Sequence, residues 1–208
     1  MTARNAEQGT VLIVDDDSAV RDGLRMLIDA TGFATETFAC GQALLDWTPT
    51  DEPACILLDL HMPDMDGLEV QRILQARNWE IPIIFLTANG DVPAAVEAIR
   101  NGAMNFLEKP GFTRLELLGL IRQAISRHRE ALRRRKQSQQ ISERIAKLTR
   151  RELEIARLVA EGLANKVIAV ELGISERTVE VHRSRAMKKL ELRQLADLVR
   201  LEHMLGPS

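Results

Sequence analysis

The stretch VLIVDDDSAV, Val11–Val20, sets an apolar, β-branched run directly before Asp15, Asp16 and Asp17. Adjacent carboxylates raise one another's proton affinity, so three in a row need a nearby cation or must point apart. Three later segments follow the same plan of an apolar run ending in a reactive group. CILLDL delivers Asp59, IIFLTA delivers Thr87, and NFLEKP delivers Lys109 ahead of Pro110. If these are strands of one parallel sheet, their carboxyl ends share the edge where such sheets bind ligands. The carboxylates of Asp15, Asp16 and Asp59, a hydroxyl and an ammonium then meet at one place. Such a cluster suits a hard divalent cation, and Mg²⁺ is the expected ion because it takes oxygen ligands and keeps several waters. A carboxylate beside it can attack a phosphoryl group as a nucleophile. Lys109 and the ion would offset charge on the phosphoryl oxygens, and Thr87 would hydrogen-bond one of them. Asp17 opens a helical pattern and is expected to cap that helix or face solvent.

The elements that must position these groups are legible as an alternation. Apolar runs at Val11–Val14, Cys55–Leu58 and Ile83–Leu86, with a weaker one at Met104–Leu107, read as strands buried on both faces. Phe33–Phe38 alternates like a half-buried strand. Helical periodicities lie between them: Val20, Leu24, Leu27 and Ile28; Leu68, Ile73 and Leu74; Val96 and Ile99. Alternating strand and helix implies a parallel sheet covered by helices on both sides. The expected fold class is therefore α/β, a doubly wound five-stranded parallel sheet, followed by a small all-α domain. From Leu115 a helical pattern leaves the first domain and becomes the polar, basic segment HREALRRRKQSQQISERIAKL.

Composition bounds the partners. The chain has 208 residues, 45% of them hydrophobic and 3% aromatic, so its core must be aliphatic. No apolar stretch approaches the roughly 20 residues of a membrane helix, and MTARNAEQGT lacks the apolar region of a signal peptide. Cys40 and Cys55 are too few for a disulfide framework and are expected to act as small hydrophobes. A cytoplasmic protein with no membrane partner is expected. The formal net charge of -2 conceals an asymmetry: eight basic against nineteen acidic side chains in residues 1–120, seven against one in 121–140, and thirteen against ten in 141–208. An acidic half suits a cation, and a basic half suits a polyanion.

The basic half contains two short helical patterns joined by a glycine turn. Leu153, Ile155, Ala156, Leu158 and Val159 form an apolar face, EGLANK is a turn, and KVIAVEL is a short helix. GIS then supplies a tight turn, with Ser175 as N-cap of a helix over about Glu176–Leu190 carrying Arg177, His182, Arg183, Arg185, Lys188 and Lys189. This arrangement fits a helix-turn-helix whose second helix enters the major groove of DNA. The bland reading of the same residues is a helical interaction module with a solvated basic face.

VLIVDDDSAVRDGL, CILLDLHMPDMDGLE and IIFLTANGDVPAAVEAIRNGAMNFLEKP together resemble the receiver domain of bacterial two-component response regulators over roughly residues 9–128, nearest the FixJ-like subgroup. The resemblance implies a flavodoxin-like receiver with Asp59 as the phosphoacceptor of a sensor histidine kinase. It implies Mg²⁺ held by Asp15, Asp16, Asp59 and the backbone carbonyl of His61. Thr87 and Lys109 would sense the phosphoryl group, and Phe106 would be the aromatic switch. Departures from the subgroup are His61, often Arg there, and Gly111, where a bulky residue is common. LTRRELEIARLVAEGLANKVIAVELGISERTVEVHRSRAMKKLEL resembles the LuxR-type helix-turn-helix, or NarL/FixJ output domain, over 145–203. By position, Lys166, Arg177, Thr178, Arg185 and Lys188 are phosphate-contact candidates, and Glu180, Val181 and Ser184 are base-readout candidates. The implied domains are a receiver over 1–128, a helical basic linker over 129–144 and an output domain over 145–208.

The implied function is a phosphorylation-controlled transcriptional regulator that binds double-stranded promoter DNA. It would homodimerise on phosphorylation through a face around 91–100 and 104–108, with RNA polymerase as a further candidate partner. Any chemistry would be self-directed: phosphoryl acceptance and self-dephosphorylation, not turnover of an external substrate. A Mg²⁺-dependent phosphatase is the enzyme alternative, but no segment is available to build a cap or substrate pocket. A constitutive DNA binder with an unused receiver is disfavoured by the complete acidic set.

Overall fold

The computed structural model describes residues 9–88, 92–109, 111–199 and 201–205. Asp91 and Pro110, which figure in the expectations above, and residues 1–8 of the expected receiver lie outside the described residues. By its internal contacts the chain divides into two units, Met1–Arg133 and Arg134–Ser208.

The first unit is a parallel sheet in the order β2-β1-β3-β4-β5, built from β1 Thr10–Val14, β2 Ala34–Phe38, β3 Ala54–Asp59, β4 Ile83–Thr87 and β5 Asn105–Glu108. Helices α1 Ser18–Asp29, α2 Gly41–Leu45, α3 Gly67–Ala76 and α4 Val92–Arg100 connect the strands, and α5 Arg114–Ile145 follows them. β3 and β4 are buried at every residue, which is why they read as unbroken apolar runs. Two aliphatic cores lie on the two faces of the sheet. Leu12, Ile56, Leu58 and Phe85 belong to one; Val11, Ile13, Leu57 and Leu86 belong to the other. The second core is closed by Leu117, Leu118, Ile121 and Ile125 of α5. The expected strands are all present. The five-residue α2 is an addition to the sequence reading, because a helix this short displays no measurable period.

The second unit is all-α: α6 Arg150–Ala160, α7 Asn165–Glu171, α8 Glu176–Leu190, and the short α9 Leu195–Val199 and α10 Glu202–Leu205. Its core joins Ile155, Val159, Ile168, Val179, Ala186 and Leu190. Thr149 and Glu152 form a reciprocal capping box at the start of α6. Glu152 is buried and also accepts from Lys189 Nζ at 2.6 Å. That bond, helped by the Thr149 donors and resisted by burial, holds the Glu152 carboxyl below the usual carboxylate range. No described helix is long and apolar enough to cross a membrane.

Candidate functional site

The β1 register against β3 brings Val14 beside Leu58, so Asp15 and Asp59 emerge next to each other at the carboxyl edge. Of the three successive aspartates, Asp15 and Asp16 converge with Asp59 and Asp17 turns away to cap α1. Asp15 is buried, and its Oδ1 accepts from the Asp17 amide at 2.9 Å. Asp16 is exposed. Asp17 caps α1, accepting from the Ala19 amide at 2.8 Å. The cation is Lys109. Its Nζ lies 2.5 Å from Asp15 Oδ2 and 2.9 Å from Asp59 Oδ1. Asp17 is drawn out of the cluster as a cap, and the ammonium offsets the charge of Asp15 and Asp59.

Burial pushes the Asp59 carboxyl upward; Lys109 opposes that by hydrogen bond and charge, while Asp15 and Asp16 add to it. Burial alone would lower the Lys109 pKa, but its bonds to Asp15 and Asp59 outweigh that and raise it. The ammonium is thus held charged between two carboxylates. Oxygen atoms of Asp15, Asp16 and Asp59 all lie within 4.8 Å of one another. Opposite ligands of one small octahedral cation stand about 4.2 Å apart, so the three side chains fit a single ion of that kind.

Thr87 is the last residue of β4 and is fully buried. It stands one position beyond Leu86, the register partner of Asp59. Its carbonyl accepts the Lys109 amide at 2.6 Å, which ties the β4 end to the lysine. Phe106 pairs with Phe85 across β4 and β5, ring centroids 6.3 Å apart, and is partly buried against the same core. His61 lies two residues beyond Asp59, the last residue of β3, and is exposed.

Three supporting groups were assigned no role from sequence. Arg21 donates to the Asp15 carbonyl at 2.7 Å. Asp66 caps α3, accepting from the Glu69 amide at 2.7 Å. Gly67 lets α3 start against Asp59, since a Cβ there would meet the Asp59 carbonyl oxygen at 2.4 Å. The DG pair in HMPDMDGLE was the available signal, an N-cap residue followed by one without a side chain.

In the second unit, Ser175 caps α8 as expected, accepting from the Thr178 amide at 3.1 Å. At about 100° per residue, Glu180, Ser184, Arg177, Lys188, Val181, Arg185 and Thr178 fall in one arc of the helix. Val179, Ala186 and Leu190 fall opposite and are buried. The arc residues are exposed except Thr178, which is half-buried with its hydroxyl 2.8 Å from that of Ser175. Lys166, on α7, is exposed. His182 is half-buried, its Nδ1 without a hydrogen-bond partner among the described residues.

The response regulator receiver domain family matches residues 11–122, more than half of the chain, and the bacterial regulatory proteins of the luxR family match 146–202. The chain belongs to the response regulators. Transcriptional regulatory protein FixJ of Bradyrhizobium diazoefficiens is 40% identical over 199 residues, covering 96% of this chain and 97% of that one. The C4-dicarboxylate transport transcriptional regulatory protein DctR of Rhodobacter capsulatus is 42% identical over 194 residues, covering 92% and 98%. Among solved structures, the response regulator StyR superposes with a TM-score of 0.84 at 44% identity, covering 94% of this chain and 98% of StyR. This response regulator is a phosphorylation-dependent, DNA-binding transcriptional regulator and not an enzyme. Its receiver implies a histidine kinase as partner, and its LuxR-type helix-turn-helix implies DNA.

Proposed function

We propose that Asp59 accepts the phosphoryl group from a histidine of a sensor kinase, and that the resulting acyl phosphate controls dimerisation and promoter binding. The observation that carries this reading is the Lys109 bridge to Asp15 and Asp59 beside the exposed Asp16. An Asp59 oxygen attacks phosphorus, the bond to the histidine nitrogen breaks, and its electron pair leaves with the imidazole. Mg²⁺, held by Asp15, Asp16, Asp59 and the His61 carbonyl, would neutralise charge on the transferred group. Lys109 shifts from the carboxylates towards a phosphoryl oxygen, and the Thr87 hydroxyl donates to another. Water later hydrolyses the acyl phosphate, a self-directed step.

Movement of Thr87 towards Asp59 leaves room for Phe106 to turn inward. The surface of α4 and β5 is then reshaped into a homodimer face. On α4, Val92, Val96 and Ile99 are exposed and apolar, which supports that assignment. Two output domains would bind two half-sites of promoter DNA. Lys166, Arg177, Thr178, Arg185 and Lys188 would contact phosphates, and Glu180, Val181 and Ser184 would read base edges. RNA polymerase is a further partner in this reading. We assign the receiver to 1–128, the basic linker to 129–144 and the output domain to 145–208, in a cytoplasmic protein.

The test is labelling of the full chain by a small acyl phosphate in Mg²⁺, read by intact mass. Wild type gains one phosphoryl group; Asp59→Asn and chelated wild type do not. Full labelling of the Asn variant would show that Asp59 is not the acceptor.

A further inference from the structure

Gln71 is a polar side chain in an apolar place. It lies on α3 between Val70 and Leu74, both buried, and is itself 1% exposed. Its Nε2 donates to the carbonyl of Ala98 at 3.0 Å and to that of Asn101 at 2.8 Å. Gln75, one turn on, also donates to the Asn101 carbonyl. The carboxyl end of α4 is closed a second time by its own backbone. The Ala103 amide bonds the Ala98 carbonyl and the Gly102 amide bonds the Ile99 carbonyl, both at 2.9 Å, with Gly102 at φ +81°. The Met104 amide then bonds the Ile83 carbonyl, and β5 begins at the next residue. The rest of α4 is lightly seated. Ala98 is its one buried side chain among the described residues, while Val92, Val96 and Ile99 are exposed.

A helix bonded twice at one end, and seated elsewhere by Ala98 and the partly buried Ala94, tilts most readily about the bonded end. We propose that Gln71 is the positioning residue that makes the carboxyl end of α4 the fixed pivot of the switch. The activating motion is then a tilt of the amino-terminal end, not a sliding of the whole helix. From Val92 to Asn101 is roughly 13 Å along the axis, so a tilt of about 10° carries Val92 some ~2 Å while Gly102 stays in place. Val92, nearest Thr87 in sequence, moves furthest, and Ile99 moves least. Gln71 Oε1 has no hydrogen-bond partner among the described residues. A buried acceptor left unpaired is costly, and its retention fits a residue kept for its two donors. The proposal rests on the reading that acceptor phosphorylation reshapes the α4 and β5 face.

The experiment compares wild type, Gln71→Met and the exposed-site variant Gln75→Ala in the full chain, with and without beryllofluoride and Mg²⁺. Amide hydrogen exchange is read along 92–104, and dimer dissociation constants are read by sedimentation. In wild type, the ligand-induced change in exchange falls from Val92 to nothing at Gly102 and Ala103. In Gln71→Met it spreads to Gly102 and Ala103. There the ratio of unliganded to liganded dimer constants drops, because part of the ligand's effect goes into moving the freed end instead of tilting the dimer face. Gln75→Ala changes both quantities in the same direction by less, and decides the matter if the Met variant does not fold. A wild-type exchange change as large at Gly102 as at Val92 would overturn the pivot, as would a Met variant that loses thermal stability with its dimer ratio unaltered. Failure of wild type to dimerise would instead refute the association reading, while the exchange gradient still judges the pivot.

Discussion

Gly67→Ala tests whether Asp59, the proposed acceptor, is positioned by the helix packed beneath it. A Cβ at 67 would meet the Asp59 carbonyl oxygen at 2.4 Å, Phe85 Cε1 at 2.9 Å and Leu60 Cα at 3.1 Å. Comfortable carbon contacts lie at about 3.5–4.0 Å. Phe85 is fully buried and the other two atoms are backbone, so none can swing aside. Either the end of β3 recedes by about 1 Å or the start of α3 lifts. Overpacking of this kind costs about 1–3 kcal/mol, roughly 4–15 °C in midpoint for a domain of this size. A displacement of about 1 Å at a reacting group costs up to about a hundredfold in rate. The control is Gly23→Ala in α1, where a Cβ meets nothing within 4 Å; relief of helix-interior glycine should stabilise by about 0.5–1 kcal/mol. Both tryptophans, Trp47 and Trp79, fall in the first unit, so thermal unfolding followed by their emission reports that unit alone. Labelling by acyl phosphate gives the rate. Loss of stability with normal labelling would mean that α3 lifts and Asp59 stays. A variant that melts and labels like wild type would refute the close approach as a constraint.

His128 is buried on α5, and its Nδ1 accepts the Ala54 amide at 2.8 Å. Burial lowers its pKa against the opposing charge of Glu80, so below about 6.5 the unfolded chain binds more protons and stability falls with falling pH. Urea midpoints by tryptophan emission should decline between pH 7.5 and 5.5, and His128→Gln should flatten that decline; an unchanged slope would exclude His128 as its source. Glu152→Ala removes the capping-box acceptor and the partner of Lys189, and should cost the second unit about 1–3 kcal/mol, read by helical circular dichroism. The lowered Glu152 pKa places its contribution above the ordinary glutamate range, to be lost as pH falls through the folded value. Lys188→Ala should weaken binding to target and scrambled duplexes alike and reduce the salt slope by about 0.9 per half-site. Val181→Ala or Glu180→Ala should shift preference at one base position by roughly 1–3 kcal/mol; equal loss on both duplexes would show that these residues do not read bases.

What the sequence disclosed follows from how local each signal is. β1, β3 and β4 were legible because burial on both faces leaves continuous apolar runs. The limits of α8 were legible because Ser175 announces its start and the core residues Val179, Ala186 and Leu190 keep a helical spacing. The 32-residue α5 was legible as one helix because nothing after Gly119 interrupts it. α2 was not, since five residues hold barely more than one turn. Convergence of Asp15, Asp59 and Lys109 was legible from the strand ends alone, whereas the bonding of both carboxylates to one ammonium depends on side-chain directions that spacing does not encode. Gln71 was invisible for a related reason. A glutamine among apolar neighbours looks like solvent-facing helix until α4 is seen to bring its carbonyls there.

Lys109 and Asp15 are separated by 94 positions, and that distance has a consequence during synthesis. At about 5–20 residues per second, Asp15 leaves the ribosome roughly 5–20 s before its cation. Asp59 precedes the lysine by 50 positions, so for about 2.5–10 s β1 and β3 can meet only by bringing like charges together with no ammonium between them. The charge pattern therefore discourages early closure of the central strand pair and rewards it once β5 arrives. With Asp59 as the proposed acceptor, competence to take a phosphoryl group is gained in the same event, so a nascent or truncated receiver that stops before residue 109 should be invisible to its kinase.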